Sequence, residues 1–178
     1  MAQVTADAPE RARRIRLMVF DIDGVLTDGR LWFGPQGEAL KAFDVRDGQG
    51  LKMLAQCGVA PALLSGRRSA AVEARAAELG IAHVLQGVDD KAPAFAALLA
   101  RLGLEAASAG YMGDDLPDLP VLARCGFACA PREAHALALR RAHYVAEAPA
   151  GAGAAREVCE FVLRAQGRLD ALLQRYAT

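Results

Sequence analysis

At 178 residues and 53% apolar, the chain suits one domain with a sizeable core. Its 21 basic and 21 acidic residues cancel, and no basic stripe marks a nucleic-acid partner. No apolar run approaches the roughly 18–20 residues of a membrane span, and the arginine-bearing N-terminus lacks the apolar core of a signal peptide, so a cytoplasmic protein is expected.

Residues 1–15 read as a loose lead and 16–178 as the folded domain. Leu17-Met18-Val19-Phe20 is a continuous apolar run, the pattern of a buried parallel strand, and it leads straight into Asp21, Asp23 and Gly24. Arg30-Leu31-Trp32-Phe33, a turn at Gly34–Gly37 and the segment Glu38–Phe43 predict a β-hairpin. Trp32 and Phe33 are adjacent, so they face opposite sides of any strand they share, and at least one lacks a core to cover it. That favours an oligomer interface over packing on the same domain. The loop Asp44–Gly50 precedes a helix near 49–57, which Asp47 is suited to cap.

Strand and helix then alternate. Strands are expected at 59–64, 82–87, 109–112, 127–130 and 144–146, and helices at 70–79, 91–102, near 118–124, near 133–141 and at 154–166, followed by a short amphipathic tail to Tyr176. This spacing means an α/β fold with a doubly wound, mostly parallel sheet. Cys57, Cys125, Cys129 and Cys159 form no Cys-x-x-Cys pair and sit inside apolar patterns, which reads as buried free thiols rather than a zinc site.

Four of the expected strand ends carry polar chemistry. Asp21 and Asp23 close the first, and two carboxylates crowded there repel unless a cation or a proton compensates; an acidic turn is the plain alternative. Ser65-Gly66-Arg67-Arg68-Ser69 suits an anion at a helix N-terminus, although ordinary capping by Ser69 also explains it. Lys91 opens a helix, and Asp114 and Asp115 follow the strand at 109–112. Aspartates without nearby His or Cys suit a hard cation, Mg²⁺ rather than zinc. A carboxylate beside Mg²⁺ can attack phosphorus to give an aspartyl-phosphate, a lysine and a hydroxyl can face the phosphoryl charge, and a second carboxylate two residues on can move the proton. Only three lysines accompany the arginines, and two of them, Lys52 and Lys91, fall in or near these loops, which hints at a need for a compact cation.

Asp21-Ile22-Asp23-Gly24-Val25-Leu26-Thr27, Ser65-Gly66-Arg67, Lys91 and Gly113-Asp114-Asp115-Leu116-Pro117-Asp118 resemble, in order, the four motifs of the haloacid-dehalogenase superfamily of phosphatases. The resemblance implies Asp21 as nucleophile and metal ligand, and Asp23 as acid/base that lends its backbone carbonyl to Mg²⁺. It implies Ser65, Gly66 and Lys91 as phosphoryl-binding groups, and Asp114 as a metal ligand supported by Asp115. Further matches at Asp28-Gly29, Gly37–Phe43, Val45-Arg46-Asp47-Gly48, Glu78–Ile81 and Arg156–Cys159 are similar to the capless 3-deoxy-D-manno-octulosonate 8-phosphate (Kdo-8-phosphate) phosphatases. About forty residues separate Asp23 from Ser65 and about twenty-five separate Ser65 from Lys91, too few for a cap domain.

This family likeness implies a sugar-acid phosphate substrate and a homotetramer built through the 30–43 hairpin, with neighbouring subunits covering an open site. It also implies Arg46, Asp47, Gly48, Lys52, Arg67 and Arg75 as contacts to the sugar acid; a solvated helix charge is the alternative for Arg75. Ala150 and Ala152 depart from the family's glycine- and arginine-bearing tail, so sialic or deaminated sialic acid 9-phosphate stands as the neighbouring substrate. Receiver domains also join strand-end aspartates to a hydroxyl and a lysine on such a sheet. Here, however, the adjacent acids Asp114-Asp115 come last, and Asp23 favours hydrolysis over a lasting phospho-signal.

Overall fold

The protein is described by a computed structural model covering residues 3–177; Met1, Ala2 and Thr178 lie outside the described residues. The expected loose lead is corrected from residue 3 onward. Gln3–Val4 form β1, paired antiparallel with Tyr144–Val145, and Ala8–Arg13 form α1. Ala8, Ala12 and Ile15 are the reason, since they bury an apolar stripe in the core while Arg11 donates to the Gly126 carbonyl at 3.0 Å.

Leu17–Phe20 form β2, whose side chains alternate as a strand demands. Leu17 and Val19 enter one core layer, Met18 and Phe20 the other, and all four are fully buried. The chain continues through the hairpin β3 (Trp32–Gly34) and β4 (Gly37–Leu40), then α2 (Val45–Gln56), β5 (Ala60–Leu64), α3 (Ala70–Leu79), β6 (His83–Leu85), α4 (Lys91–Leu102) and β7 (Ala109–Met112). A 3-10 turn (Leu116–Asp118), α5 (Leu119–Leu122), β8 (Phe127–Ala130), α6 (Ala136–Arg141), β9 (Tyr144–Val145), α7 (Ala154–Ala165) and α8 (Leu169–Ala177) complete it. The helix expected near 49 begins at Val45 because Asp44, not Asp47, caps it, its carboxylate accepting the Arg46 N–H at 2.7 Å.

The seven-stranded sheet runs β1-β9-β8-β7-β2-β5-β6 and is parallel except at β1. One layer packs α1, α2, α3, α7 and α8 on the sheet, the other α4, α5 and α6. From β2 the chain moves outward to β5 and β6, then returns to β7 on the opposite side of β2. The carboxyl ends of β5, β2 and β7 thus flank the point where strand order reverses, where doubly wound sheets place their ligands. Between β2 and β5 lie only the hairpin and α2, and between β5 and α4 only α3 and β6, so neither interval holds a cap domain. Cys125, Cys129 and Cys159 are buried free thiols and Cys57 is half-buried. No helix among the described residues is long and apolar enough to cross a membrane.

The strap before α7 is tied to the loop after β2. Gly151 donates to the Val25 carbonyl at 3.0 Å, and Arg46 donates to the Ala152 carbonyl at 2.8 Å. Gly151 has a φ of +61°, and a Cβ there would lie 2.5 Å from the Thr27 carbonyl carbon, so only glycine lets the strap cross so closely. Asp47, buried in the first turn of α2, accepts the N–H groups of Gly153 at 3.2 Å and Arg156 at 2.8 Å and so docks the start of α7. Removing that acceptor leaves two buried donors unpaired. Asp47→Ala should therefore lower unfolding stability by about 1–3 kcal/mol in urea titrations, and an unchanged midpoint would remove Asp47 from this role.

Candidate active site

Three strand ends and one helix start build the site. Asp21 leaves β2 with its N–H donating to the Met112 carbonyl at 2.9 Å, which ties it to the end of β7. Asp114 follows β7, Ser65 follows β5, and Lys91 is the first residue of α4. Gly24 has a φ of +89°, and a Cβ there would lie 2.2 Å from Asp114 Oδ2, so this glycine admits the second carboxylate to the first loop. The result is a ring of carboxylates in which Asp21, Asp114 and Asp118 each offer one oxygen, the three lying within 4.8 Å of one another.

Lys91 bridges two members of the ring, with Nζ 2.9 Å from Asp21 Oδ2 and 2.7 Å from Asp118 Oδ1. Burial alone would lower the Lys91 value; the charges of Asp21 and Asp118 outweigh it and keep the ammonium protonated. Asp118 is further held by the Tyr111 hydroxyl at 2.6 Å and by the N–H groups of Asp114 at 2.9 Å and Asp115 at 3.1 Å.

One ammonium does not balance three carboxylates, two of them buried and the third, Asp114, half-buried. Burial, then the charge of Asp118, pushes Asp21 up to about 6 despite Lys91. Burial, then Asp21 and Asp118, pushes Asp114 up to about 7. Asp114 Oδ1 is buried without a hydrogen-bond partner. An orphaned acceptor in an all-oxygen acidic ring fits a hard divalent cation such as Mg²⁺.

An open cleft of about 450 Å³ brings together Asp21, Asp23, Ser65, Gly66, Arg67, Lys91, Asp114 and Asp115, and Asp118 lines it with them. Ser65 is buried, its Oγ accepting the Arg67 N–H at 3.2 Å, so the hydroxyl is fixed at the mouth of the loop. Asp23 lines the cleft outside the carboxylate ring, and Lys41 Nζ is bonded to its Oδ1.

Several expected residues stand elsewhere. Arg46, Asp47, Gly48, Lys52 and Arg75 do not line this cleft. Asp47 and Arg46 hold the strap, and Arg46 also pairs with Asp44 at 2.7 Å. Gly48 is a packing glycine, since a Cβ there would lie 2.2 Å from Arg75 Nη2. Arg75 pairs with Glu78 at 2.8 Å and reaches the Asp44 carbonyl at 3.4 Å, and Lys52 is half-buried on α2. Asp115 is exposed and joins Asp118 in a reciprocal capping box, so the buried support for Asp114 comes from Asp118.

Two signals were available for what the sequence reading missed. Asp118 lies four residues after Asp114 within the same acidic motif. Lys41 is the third lysine of an arginine-rich chain, and the rule that singled out Lys52 applied to it equally.

No family model matches the chain. The 3-deoxy-D-manno-octulosonate 8-phosphate phosphatase KdsC of Yersinia pestis is 46% identical over 167 residues, 94% of this chain and 89% of that protein. A probable YrbI family phosphatase from Pseudomonas syringae superposes with a TM-score of 0.95 at 48% identity, covering 98% of this chain and 99% of that one. The 3-deoxy-D-manno-octulosonate 8-phosphate phosphatase of Moraxella catarrhalis, solved with magnesium, phosphate and KDO, superposes with a TM-score of 0.93 at 40% identity over 96% of this chain and 98% of that one. At these identities over nearly the whole of both chains, the protein belongs to the 3-deoxy-D-manno-octulosonate 8-phosphate phosphatase family of the haloacid-dehalogenase superfamily.

Proposed function

We propose that this protein is a Mg²⁺-dependent phosphatase that hydrolyses Kdo-8-phosphate to Kdo and phosphate through an aspartyl-phosphate on Asp21. The observation that carries this reading is the cluster of Asp21, Asp114 and Asp118, with Lys91 bridging Asp21 and Asp118, in a chain 46% identical to a phosphatase of that name. Asp21 Oδ attacks phosphorus as the bond from phosphorus to the sugar oxygen breaks, and that oxygen takes the proton of Asp23. Water then attacks the aspartyl-phosphate while Asp23 takes back a proton, the Asp21–phosphorus bond breaks, and phosphate leaves. Lys91, the Ser65 hydroxyl and the Gly66 N–H face the phosphoryl oxygens, and Asp118 holds Lys91 and the Asp114 loop in place. Asp21, Asp114 and the Asp23 backbone carbonyl would hold Mg²⁺, which when bound supplies positive charge against the phosphoryl oxygens.

The test is phosphate release with Mg²⁺ from Kdo-8-phosphate, sialic acid 9-phosphate, deaminated sialic acid 9-phosphate and hexose phosphates, compared by kcat/KM. Kdo-8-phosphate should lead, and Asp21→Asn should cut its turnover by more than about 10³-fold without unfolding the protein. A lead for a nine-carbon acid would move the substrate to that class and point to Ala150 and Ala152. Near-normal turnover by Asp21→Asn would overturn its assignment as nucleophile.

The raised values of Asp21 and Asp114 give a metal-free prediction. Both start from 3.8 unfolded and rise to about 6 and about 7 when folded, so the folded protein holds extra protons between those limits. Stability contributed by these protons is present at low pH and is lost as pH rises through about 4 to 7. Because Mg²⁺ would replace them, its addition should raise Tm more at pH 8 than at pH 5, read by calorimetry with and without chelator. An equal shift at both pH values would argue against Mg²⁺ in the ring.

We also read the hairpin as the surface through which four copies assemble over the open cleft. Trp32, Phe33 and Leu40 are 55%, 65% and 68% exposed, an apolar patch that a lone subunit leaves in water. Light scattering on size-exclusion eluate should give the tetramer mass, and Trp32→Ser with Phe33→Ser should reduce it. A monomeric wild-type protein would sink the assembly.

A further inference from the structure

Lys41 follows β4 at the root of the hairpin, and its side chain is 1% exposed. An ammonium reaches that depth only with charged partners. Lys41 has two, for its Nζ is bonded to Asp23 Oδ1 and lies 3.4 Å from Glu38 Oε2. Glu38 in turn stands 3.8 Å from Arg67 Nε, and the Arg67 guanidinium lies 5.8 Å from the Phe33 ring centroid. The hairpin therefore reaches the cleft through alternating charges, ending at Asp23 on one side and at the Ser65–Arg67 loop on the other.

We propose that Lys41 is a positioning residue for the proton transfer. It fixes one oxygen of Asp23 against the hairpin, so that the other is presented to the leaving-group oxygen. The inference rests on the reading of Asp23 as the acid that protonates that oxygen. An aspartate carboxyl turns about two side-chain torsions, and the second of these is broad. The carboxylates of Asp21, Asp114 and Asp118 would also repel it from the cleft. A buried cation carried on the root of the hairpin opposes both, and proton transfer requires a donor held within hydrogen-bond reach. Lys41 itself need not touch the substrate.

The test compares two leaving groups on the intact protein with Mg²⁺. Kdo-8-phosphate releases an alkoxide that needs a proton, whereas 4-nitrophenyl phosphate releases a phenolate that departs without one. Lys41→Met keeps the side-chain length and removes the charge. It should lower kcat/KM on Kdo-8-phosphate by about 10- to 100-fold and kcat/KM on 4-nitrophenyl phosphate by less than about threefold. That ratio ends at the aspartyl-phosphate and so leaves out the water attack that both substrates share. Lys41→Arg should recover part of the first loss. Retained aryl turnover reports that the variant is folded, and if Lys41→Met does not fold, Lys41→Gln carries the same comparison. Equal losses on the two substrates, or no loss on either, would overturn the proposal, because a merely structural hairpin acts on both alike. Asp23→Asn is measured alongside. If it too fails to discriminate between the leaving groups, the acid reading of Asp23 falls and the role of Lys41 falls with it.

Discussion

The buried ammonium of Lys91 between Asp21 and Asp118 is the constraint from which the rest of the site follows. Three carboxylates brought within 4.8 Å of one another repel strongly where water is scarce. The structure offsets that repulsion with one lysine, a tyrosine hydroxyl and two backbone N–H groups, all but one contact converging on Asp118. The remaining imbalance falls on Asp21 and Asp114, the residues expected to meet a cation and a phosphoryl group. Burial disfavours the charged form of these acids, and a divalent cation would offset that cost.

The loop after β2 is where the peripheral elements meet. It carries Asp21 and Asp23, and its Gly24 admits Asp114. Its Val25 carbonyl holds the strap through Gly151, and its Asp23 holds the hairpin through Lys41. An uncapped enzyme must restrain its catalytic loop without a second domain above it. Here the restraint comes from the root of a hairpin on one side and from the segment before α7 on the other. Asp47 and Arg46 belong to that scaffold, which explains why two residues of a glycine-bearing polar loop are turned away from the cleft.

Much of this was legible in the residues. The run Leu17–Phe20, the alternation of strand and helix, and acids placed directly after strands announce a doubly wound sheet with a cation and phosphate site at its carboxyl edge. Periodicity and capping are local properties, so the bounds of α3, α4, β7 and β8 coincide with the expected ones. The N-terminal segment was misread because a two-residue strand has no periodicity of its own. It exists only where β9 supplies an edge, and α1 forms where the core accepts Ala8 and Ala12.

What the sequence by itself determined is the inventory: which strand ends bear carboxylates, where a lysine and a hydroxyl stand beside them, and the absence of room for a cap. Only the tertiary structure decided the division of labour among similar residues. Asp118 rather than Asp115 is buried behind Asp114, Lys41 rather than Lys52 is bonded to Asp23, and Asp47 holds the start of α7. The physical reason is that a side chain's type is local, whereas its burial and partners depend on segments far along the chain. Lys91 meets Asp118 across 27 positions and Asp47 meets Arg156 across 109, separations over which no local pattern carries information.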